Sequence, residues 1–189
     1  MGTIKTTNIE PIATNGTVTL GGSGDTFTVP SGVTVNMSNA TQTGVGGTNT
    51  PAWSAKRGSA QTGIADSASV TIVCDTEELD TDNAYNTSTG EFTVPSGKGG
   101  KYMVGASYRT NASGAATRLA SFITVGGTII RQTNFNQNSS GEGSSSVHGV
   151  LNLSAGDVVA FKMYQNTGSA VNAEADGKTY FYGYKLIGA

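Results

Sequence analysis

The chain has 189 residues, of which 27 are glycine and 13% are charged, and its formal net charge is −2. A charge this close to zero predicts no basic surface for nucleic acid or for an anionic membrane. Serine, threonine, asparagine and glycine dominate, and no stretch keeps an apolar period of 3.6 residues, so the composition predicts an all-β protein. No apolar run is long enough to span a bilayer, so we expect no membrane insertion. The start lacks the apolar core of a secretory signal, which weakens a secreted role.

The first 50 residues contain three short alternating pieces, at 17–20, 26–29 and 33–37. Each piece would place two or three apolar side chains on one face of a strand. So few apolar residues cannot close a core, because the buried surface would not offset the entropy of ordering the chain. We therefore expect this segment to be ordered by its own copies or by a larger assembly. The polar, glycine-rich stretch at 38–50 predicts a linker, with a second domain at 51–189.

From Trp53 onward, apolar and polar residues alternate along successive segments, which predicts strands with one buried face. The inward-facing sets are Val70, Ile72 and Cys74; Tyr102, Val104, Ala106 and Tyr108; Leu119, Ser121, Ile123 and Val125; Val147, Gly149, Leu151 and Leu153; and Val159, Phe161 and Met163. The last strand, at 178–187, has Gly183 as its single turn residue, placed where a bulky ring could lie over the backbone. About eight to ten strands at this spacing predict a sandwich.

Few residues are candidates for catalysis. His148 is the only histidine, and it alternates out of phase with its apolar neighbours, so we expect it on a polar face without the partners of a catalytic triad. Cys74 is the only cysteine, so no disulfide forms within one chain and a buried thiol is expected. One histidine and one cysteine cannot close a four-ligand zinc site. We therefore expect neither enzymatic activity nor a bound cofactor, with calcium as the one cofactor left open.

An acidic run supplies the best metal candidates in the chain. Its carboxylates suit calcium, and the weak candidates are Asp75, Glu78, Asp80 and Asp82. The run lacks the glycine and the distal glutamate of an EF-hand loop, which favours a solvated acidic loop instead. Asp157 belongs to a Gly-Asp turn, where its carboxylate is expected to accept backbone N–H groups and hold a hairpin.

Three segments together resemble the C1q/tumour-necrosis-factor-like jelly roll: YNTSTGEFTVPSGKGGKYMVG at 85–105, VLNLSAGDVVAF at 150–161 and TYFYGYKLIG at 179–188. The resemblance covers about residues 53–189. It implies a jelly-roll sandwich that works as a trimeric binding head rather than as an enzyme, and some C1q-like proteins hold calcium near the trimer axis. The residues that carry the signature or fill the core would be Tyr85, Phe92, Pro95, Tyr102, Leu151, Leu153, Gly156, Asp157, Phe181, Gly183 and Tyr184.

The closing aromatic run, Tyr180, Phe181, Tyr182 and Tyr184, allows two interpretations. We expect half of these rings to line the core and half to pack at a subunit interface, because aromatic side chains are enriched in both places. A shelf on which sugar rings stack is the alternative.

The opening TIKTTNIEPIATNGTVTLGGSGDTFTVPSG looks like the start of virion-surface proteins of tailed marine bacteriophages. This resemblance implies a homotrimeric capsid decoration or head fibre, made in the host cytoplasm and docked on other virion proteins through residues 1–50. The expected docking residues are Ile4, Ile9, Ile12, Val18 and Leu20. Two alternatives stay open: a short tail fibre whose tip binds a host receptor or glycan, and a secreted bacterial C1q-like adhesin.

Overall fold

The computed structural model describes residues 19, 21–35, 49–112, 116–137, 141–175 and 177–187. The chain divides into two compact units, residues 1–45 and 46–189. No helix in the described part of the chain is long and apolar enough to cross a membrane. The five residues predicted to dock the chain on a virion, Ile4, Ile9, Ile12, Val18 and Leu20, all lie outside the described residues.

In the first unit, residues 21–35 form turns and no strand. The amide of Asp25 donates to the carbonyl of Gly22, and the amide of Val33 donates to that of Pro30. The alternating pieces predicted at 26–29 and 33–37 form no strand in this single chain within the described residues 21–35. Alternation alone does not make a strand, because each strand needs a neighbour to complete its hydrogen-bond ladder, and none pairs with this stretch among the described residues. Phe27 is left 70% exposed.

The second unit is built from antiparallel strands arranged in two main sheets. The strands are β1 (Ala52–Lys56), β2 (Gln61–Ile64), β3 (Ala68–Thr71), β4 (Thr76–Asp80), β5 (Tyr85–Asn86), β6 (Glu91–Thr93), β7 (Gly100–Ala112), β8 (Ala116–Val125), β9 (Thr128–Gln137), β10 (Gly141–Leu153), β11 (Val158–Gln165), β12 (Val171–Ala173) and β13 (Tyr180–Lys185). The first sheet has five strands in the order β10-β7-β13-β1-β4. The second has six, in the order β5-β6-β11-β8-β9 with β3 beside β11, and β12 pairs with β2 separately.

Neighbouring strands such as β7 and β13, or β6 and β11, lie far apart in the sequence, as the crossing connections of a jelly roll require. The predicted all-β jelly-roll fold is confirmed. The core lies between the two sheets and is filled by the side chains that alternation points inward. Strand β8 departs from simple alternation, because Phe122 on its outer face is also buried, beneath the guanidinium group of Arg118.

An aromatic cluster occupies the centre of the core. Trp53 stacks on Phe92 of the facing sheet with ring centroids 3.7 Å apart, and it meets Phe181 edge-on at 5.5 Å. Across the ladder, Trp53 pairs with Gly183. A Cβ at position 183 would lie 2.3 Å from Cη2 of Trp53, so the ring covers the glycine directly. The ring expected over Gly183 is therefore that of Trp53, on the adjacent strand.

Candidate subunit interface

The outer side of the five-stranded sheet carries a row of tyrosines. Because side chains alternate along β13, Phe181 and Gly183 point into the core and Tyr180, Tyr182 and Tyr184 point outward. Tyr184, which the resemblance named among the residues that carry the signature or fill the core, is 36% exposed and does not fill the core. The rings of Tyr180 and Tyr182 are 6.1 Å apart. Of the four closing aromatic residues, Phe181 alone is in the core.

The tyrosine row continues onto the two neighbouring strands. Tyr184 pairs with Met103 of β7, which in turn pairs with Val150 of β10, and Val150 is 47% exposed. Tyr182 pairs with Gly105, and a Cβ on that glycine would lie 2.5 Å from Cζ of the tyrosine. The ring of Tyr182 therefore lies flat on the backbone of β7. We call the surface formed by Tyr180, Tyr182, Tyr184, Met103 and Val150 the aromatic face.

A second exposed apolar surface lies along the edge strand β9. Its exposed apolar residues are Ile129, Ile130 and Phe135, and Phe135 is 46% exposed. Arg131 of β9 reaches across to the other sheet, where its Nη2 donates to the carbonyl of Val150 at 3.2 Å. The edge of β9 and the edge of β10 are therefore side by side. Exposed apolar side chains that lie together are typical of surfaces that bind another protein.

The signature residues near the middle of the chain meet at one corner of the sandwich. In the turn after β10, the amide of Ser154 donates to Oδ2 of Asp157 at 2.8 Å, and Gly156 adopts a φ of +87°. The backbone of this turn binds Val94 through two hydrogen bonds, from Gly156 N to Val94 O and from Val94 N to Asp157 O. The turn of Asp157 therefore lies directly beside the Pro95 corner.

The rest of this corner is held from β7 and β10. The hydroxyl of Tyr102 donates to the carbonyl of Lys98 at 2.6 Å and so closes the turn that follows Pro95. Tyr102 pairs with Leu151 across the ladder, and Leu151 and Leu153 are buried together with it. Pro95 itself is half-buried. These residues position the end of the sandwich.

Cys74 and Tyr85 form a buried pair rather than a reactive site. The hydroxyl of Tyr85 donates to the carbonyl of Cys74 at 2.9 Å. Burial raises the pKa of the Cys74 thiol to about 12 and raises the pKa of Tyr85 as well. Both groups are therefore neutral at physiological pH, and the thiol is not a nucleophile. His148 lies exposed on β10, opposite Gly105 of β7.

The acidic candidates for calcium are directed to different partners. Asp75 contacts Arg57 at 3.2 Å, and Glu78 contacts Lys56 at 2.7 Å. The hydrogen bond from Lys56 lowers the pKa of Glu78. Asp80 accepts the amides of Asp82 and Tyr85, and Asp82 contacts Lys98 at 3.6 Å. Within the described residues, no three potential metal ligands come together.

An open groove of about 530 Å³ lies next to this acidic run, and the sequence carries no signal that would have revealed it. It is lined by residues 82–87 together with Thr93 and Pro95. Oδ1 of Asn86 accepts the amide of Ser88 at 2.9 Å, so the loop that forms one wall is held by its own hydrogen bonds. The groove is mainly polar in its residue types.

The profile of the C1q domain family matches residues 52–186. The solved structures that resemble this chain include the following three. The globular domain of zebrafish complement 1qA has 18% identity and a TM-score of 0.49, over 72% of this chain and 97% of that chain. Murine APRIL, crystallised at pH 5.0, has 13% identity and a TM-score of 0.56, over 71% of this chain and 98% of that one. Eiger TNF from S. frugiperda has 15% identity and a TM-score of 0.57, over 73% of this chain and 93% of that one. No curated protein sequence matches the chain. The profile match spans well over half of the residues, and the chain therefore belongs to the C1q domain family.

Proposed function

We propose that this chain is a homotrimeric surface protein of a tailed-bacteriophage virion, either a capsid decoration or a head fibre. The C1q domain forms the outward-facing head, and residues 1–50 attach it to other virion proteins. The observation that carries the assembly is the aromatic face, where Tyr180, Tyr182 and Tyr184 stand uncovered on one sheet. The virion assignment is supported by the sequence resemblance of residues 3–32.

The aromatic face and the edge of β9 are different surfaces, and both expose apolar side chains. When the face of one copy packs on the edge of the next, the contact is heterologous, and such contacts close into a ring if the rotation between copies allows it. Tyrosine suits this role, because the ring buries a large area while the hydroxyl group still finds a polar partner. A closed ring of three copies would cover both surfaces in every copy.

The attachment role is supported by residues 21–35. Phe27, Val33 and Val35 are exposed in this stretch, although all three are apolar. In a single chain these side chains remain in water, whereas docking on another protein would bury them and contribute about 25 cal/mol for each Å² covered. Docking on a partner would therefore stabilise this stretch by burying apolar side chains that the stretch cannot bury by itself.

Light scattering on the purified full-length chain tests the trimer. We expect a particle of three times the chain mass of 19.2 kDa at micromolar concentration. A monomer at that concentration would overturn the proposal.

Removing residues 1–50 should leave the trimer intact and abolish its incorporation into phage particles. Gold-labelled antibody against the head, seen by electron microscopy on intact particles, tests the virion assignment directly.

A short tail fibre that binds a host receptor or glycan is the second candidate. It is favoured by the groove next to Asp82, because a polar groove of about 530 Å³ is large enough for a sugar unit. Gold particles at the tail tip, and not on the capsid, would decide for this alternative.

A further inference from the structure

An arginine lies over two aromatic rings on the outer side of the six-stranded sheet. The register of β8 and β11 pairs Phe122 with Lys162 and Ala120 with Tyr164, so all four residues share one face with Arg118. The guanidinium carbon of Arg118 lies 5.5 Å from the centroid of Phe122 and 4.9 Å from that of Tyr164. These distances are typical of cation–π contacts. We call Arg118, Phe122, Lys162 and Tyr164 the cationic patch.

One hydrogen bond holds the guanidinium group of Arg118, and a second holds the backbone of the same residue. Its Nε donates to Oδ1 of Asn134 on β9 at 2.8 Å, and the backbone amide of Arg118 donates to Oδ1 of Asn166 at 2.8 Å. Ala120, between Arg118 and Phe122 on this face, has a small side chain that leaves room for the arginine to lie along the strand. A side chain that is already ordered loses less entropy when it binds a ligand.

The positive charge of the patch is not neutralised within the described residues. No ion pair there involves Arg118 or Lys162, and the two Nη groups of Arg118 make no hydrogen bond in that part of the chain. Glu91 lies on the same face, opposite Ala160, but it pairs with neither cation. Two cations without an ion pair among the described residues therefore share this face, in a chain whose net charge is −2. The free edge of the guanidinium group can therefore take a planar anion.

We propose that the cationic patch binds an acidic sugar of a cell-surface polysaccharide. The carboxylate or phosphate of the sugar accepts two hydrogen bonds from the Nη groups of Arg118, and Lys162 adds a second positive charge beside it. Tyr164 is half-buried, so part of its ring remains to pack against the sugar ring. A duplex nucleic acid fits less well, because two cations neutralise few phosphates and the rest of the chain is slightly acidic.

This site goes beyond the proposed virion role and does not depend on it. The aromatic face lies on the other sheet, and the patch lies over β8 and β11. In a trimer the patch would be present three times, so weak single contacts with a repeating polysaccharide would add up to firm attachment.

Binding of the full-length chain to four probes, measured by calorimetry, tests the proposal. The probes are an oligomer of glucuronic acid, its carboxyl-reduced neutral counterpart, a phosphorylated mannose and inorganic phosphate, and a single-stranded oligonucleotide serves as a fifth comparison. We expect one or both acidic sugars to bind and the neutral oligomer not to bind. The two acidic sugars distinguish a carboxylate ligand from a phosphate ligand. Equal binding of the neutral oligomer, of inorganic phosphate or of the oligonucleotide would overturn the proposal.

Variants then assign the binding to Arg118. Arg118→Gln should weaken the acidic sugar roughly tenfold or more, and Arg118→Lys should weaken it by a smaller factor, because lysine keeps the charge but loses the planar fork. Lys178→Gln removes a charge from the loop before β13 and should bind like the unmodified chain. If Arg118→Gln fails to fold because Phe122 is uncovered, the weaker binding expected of Arg118→Lys still tests the assignment.

Two results would refute the assignment of sugar binding to Arg118. The first is unchanged binding by both Arg118 variants. The second is that the Arg118 variants lose the oligomer in light scattering, which would make Arg118 a subunit contact. A chain that is monomeric and still binds acidic sugars through Arg118 would refute the trimer and leave this site standing.

Discussion

Replacing Gly183 with alanine tests whether the ring of Trp53 determines how β13 packs. The new Cβ would lie 2.3 Å from Cη2 and 2.7 Å from Cζ2 of Trp53, far inside contact distance. The ring cannot easily retreat, because Trp53 is 1% exposed and Phe92 of the facing sheet is stacked on it at 3.7 Å. Overpacking a closed core costs about 1–3 kcal/mol, and we expect the upper end of that range here.

Denaturant and thermal unfolding of the full-length chain measure this cost. For a chain of this length, a loss of about 3 kcal/mol corresponds to a melting temperature lower by roughly 6–12 °C. All variants must be compared at one protein concentration, because the stability of an oligomer depends on concentration.

Two further variants separate the proposed clash from a general glycine effect. Gly105→Ala places its Cβ 2.5 Å from the ring of Tyr182, but that ring is at the surface and can swing away, so this variant should lose less stability than Gly183→Ala. Trp53→Phe removes part of the obstructing ring, so the alanine at 183 should cost less in the double variant, with a coupling of about 1 kcal/mol or more. The reasoning is refuted if Gly183→Ala stays within about 0.5 kcal/mol of the unmodified chain, or if the two changes are additive.

Three other predictions follow from the same contacts. Changing Tyr182 and Tyr184 together to serine should shift light scattering towards the monomer without changing the far-ultraviolet circular dichroism, because truncating a hot-spot tyrosine of an interface costs about 2 kcal/mol. An unchanged mass would show that the aromatic face is not the interface. Because burial raises the pKa of Cys74 to about 12, the thiol should resist a disulfide reagent at about pH 8 until the chain is unfolded, and rapid labelling of the native protein would contradict this. The unfolded thiol has a pKa near 9.0, so its contribution to stability is complete below that pH and is lost as the pH rises towards 12. Asp157→Ala removes the acceptor for the amide of Ser154 and should lower the free energy of unfolding by about 1 kcal/mol in urea titrations, whereas a change below the error of the measurement would show that the turn holds without it.

Much of the core followed from local geometry. Side chains alternate with a period of two along any strand, so the inward positions of Tyr102, Val104 and Tyr108 could be predicted from the sequence, and all three are buried. The same rule separates Phe181 from the tyrosines on either side of it. It also places Tyr184 outside the core, because a residue next to the inward-facing Gly183 must face outward.

The candidate surfaces were harder to predict, because they depend on which strands become neighbours. Nothing in the sequence near Arg118 indicates that Tyr164 will lie under its guanidinium group, since these residues are brought together by the register between β8 and β11. The same holds for the contact between Tyr182 and Gly105. At 26–29 the alternating pattern predicted a strand that the structure does not form, because no strand pairs with it in the described part of the chain.

By itself, then, the sequence determined the all-β class, the turns and the inward faces of the long strands, because these depend on steric and hydrophobic preferences over a few residues. The spacing of its signature segments also indicated the C1q-like fold. Only the tertiary structure decided that the ring over Gly183 is that of Trp53, that three tyrosines form an open face and that Arg118 is left without an acidic partner among the described residues. These features arise between strands distant in the chain, where packing and register, not local preference, decide which side chains meet.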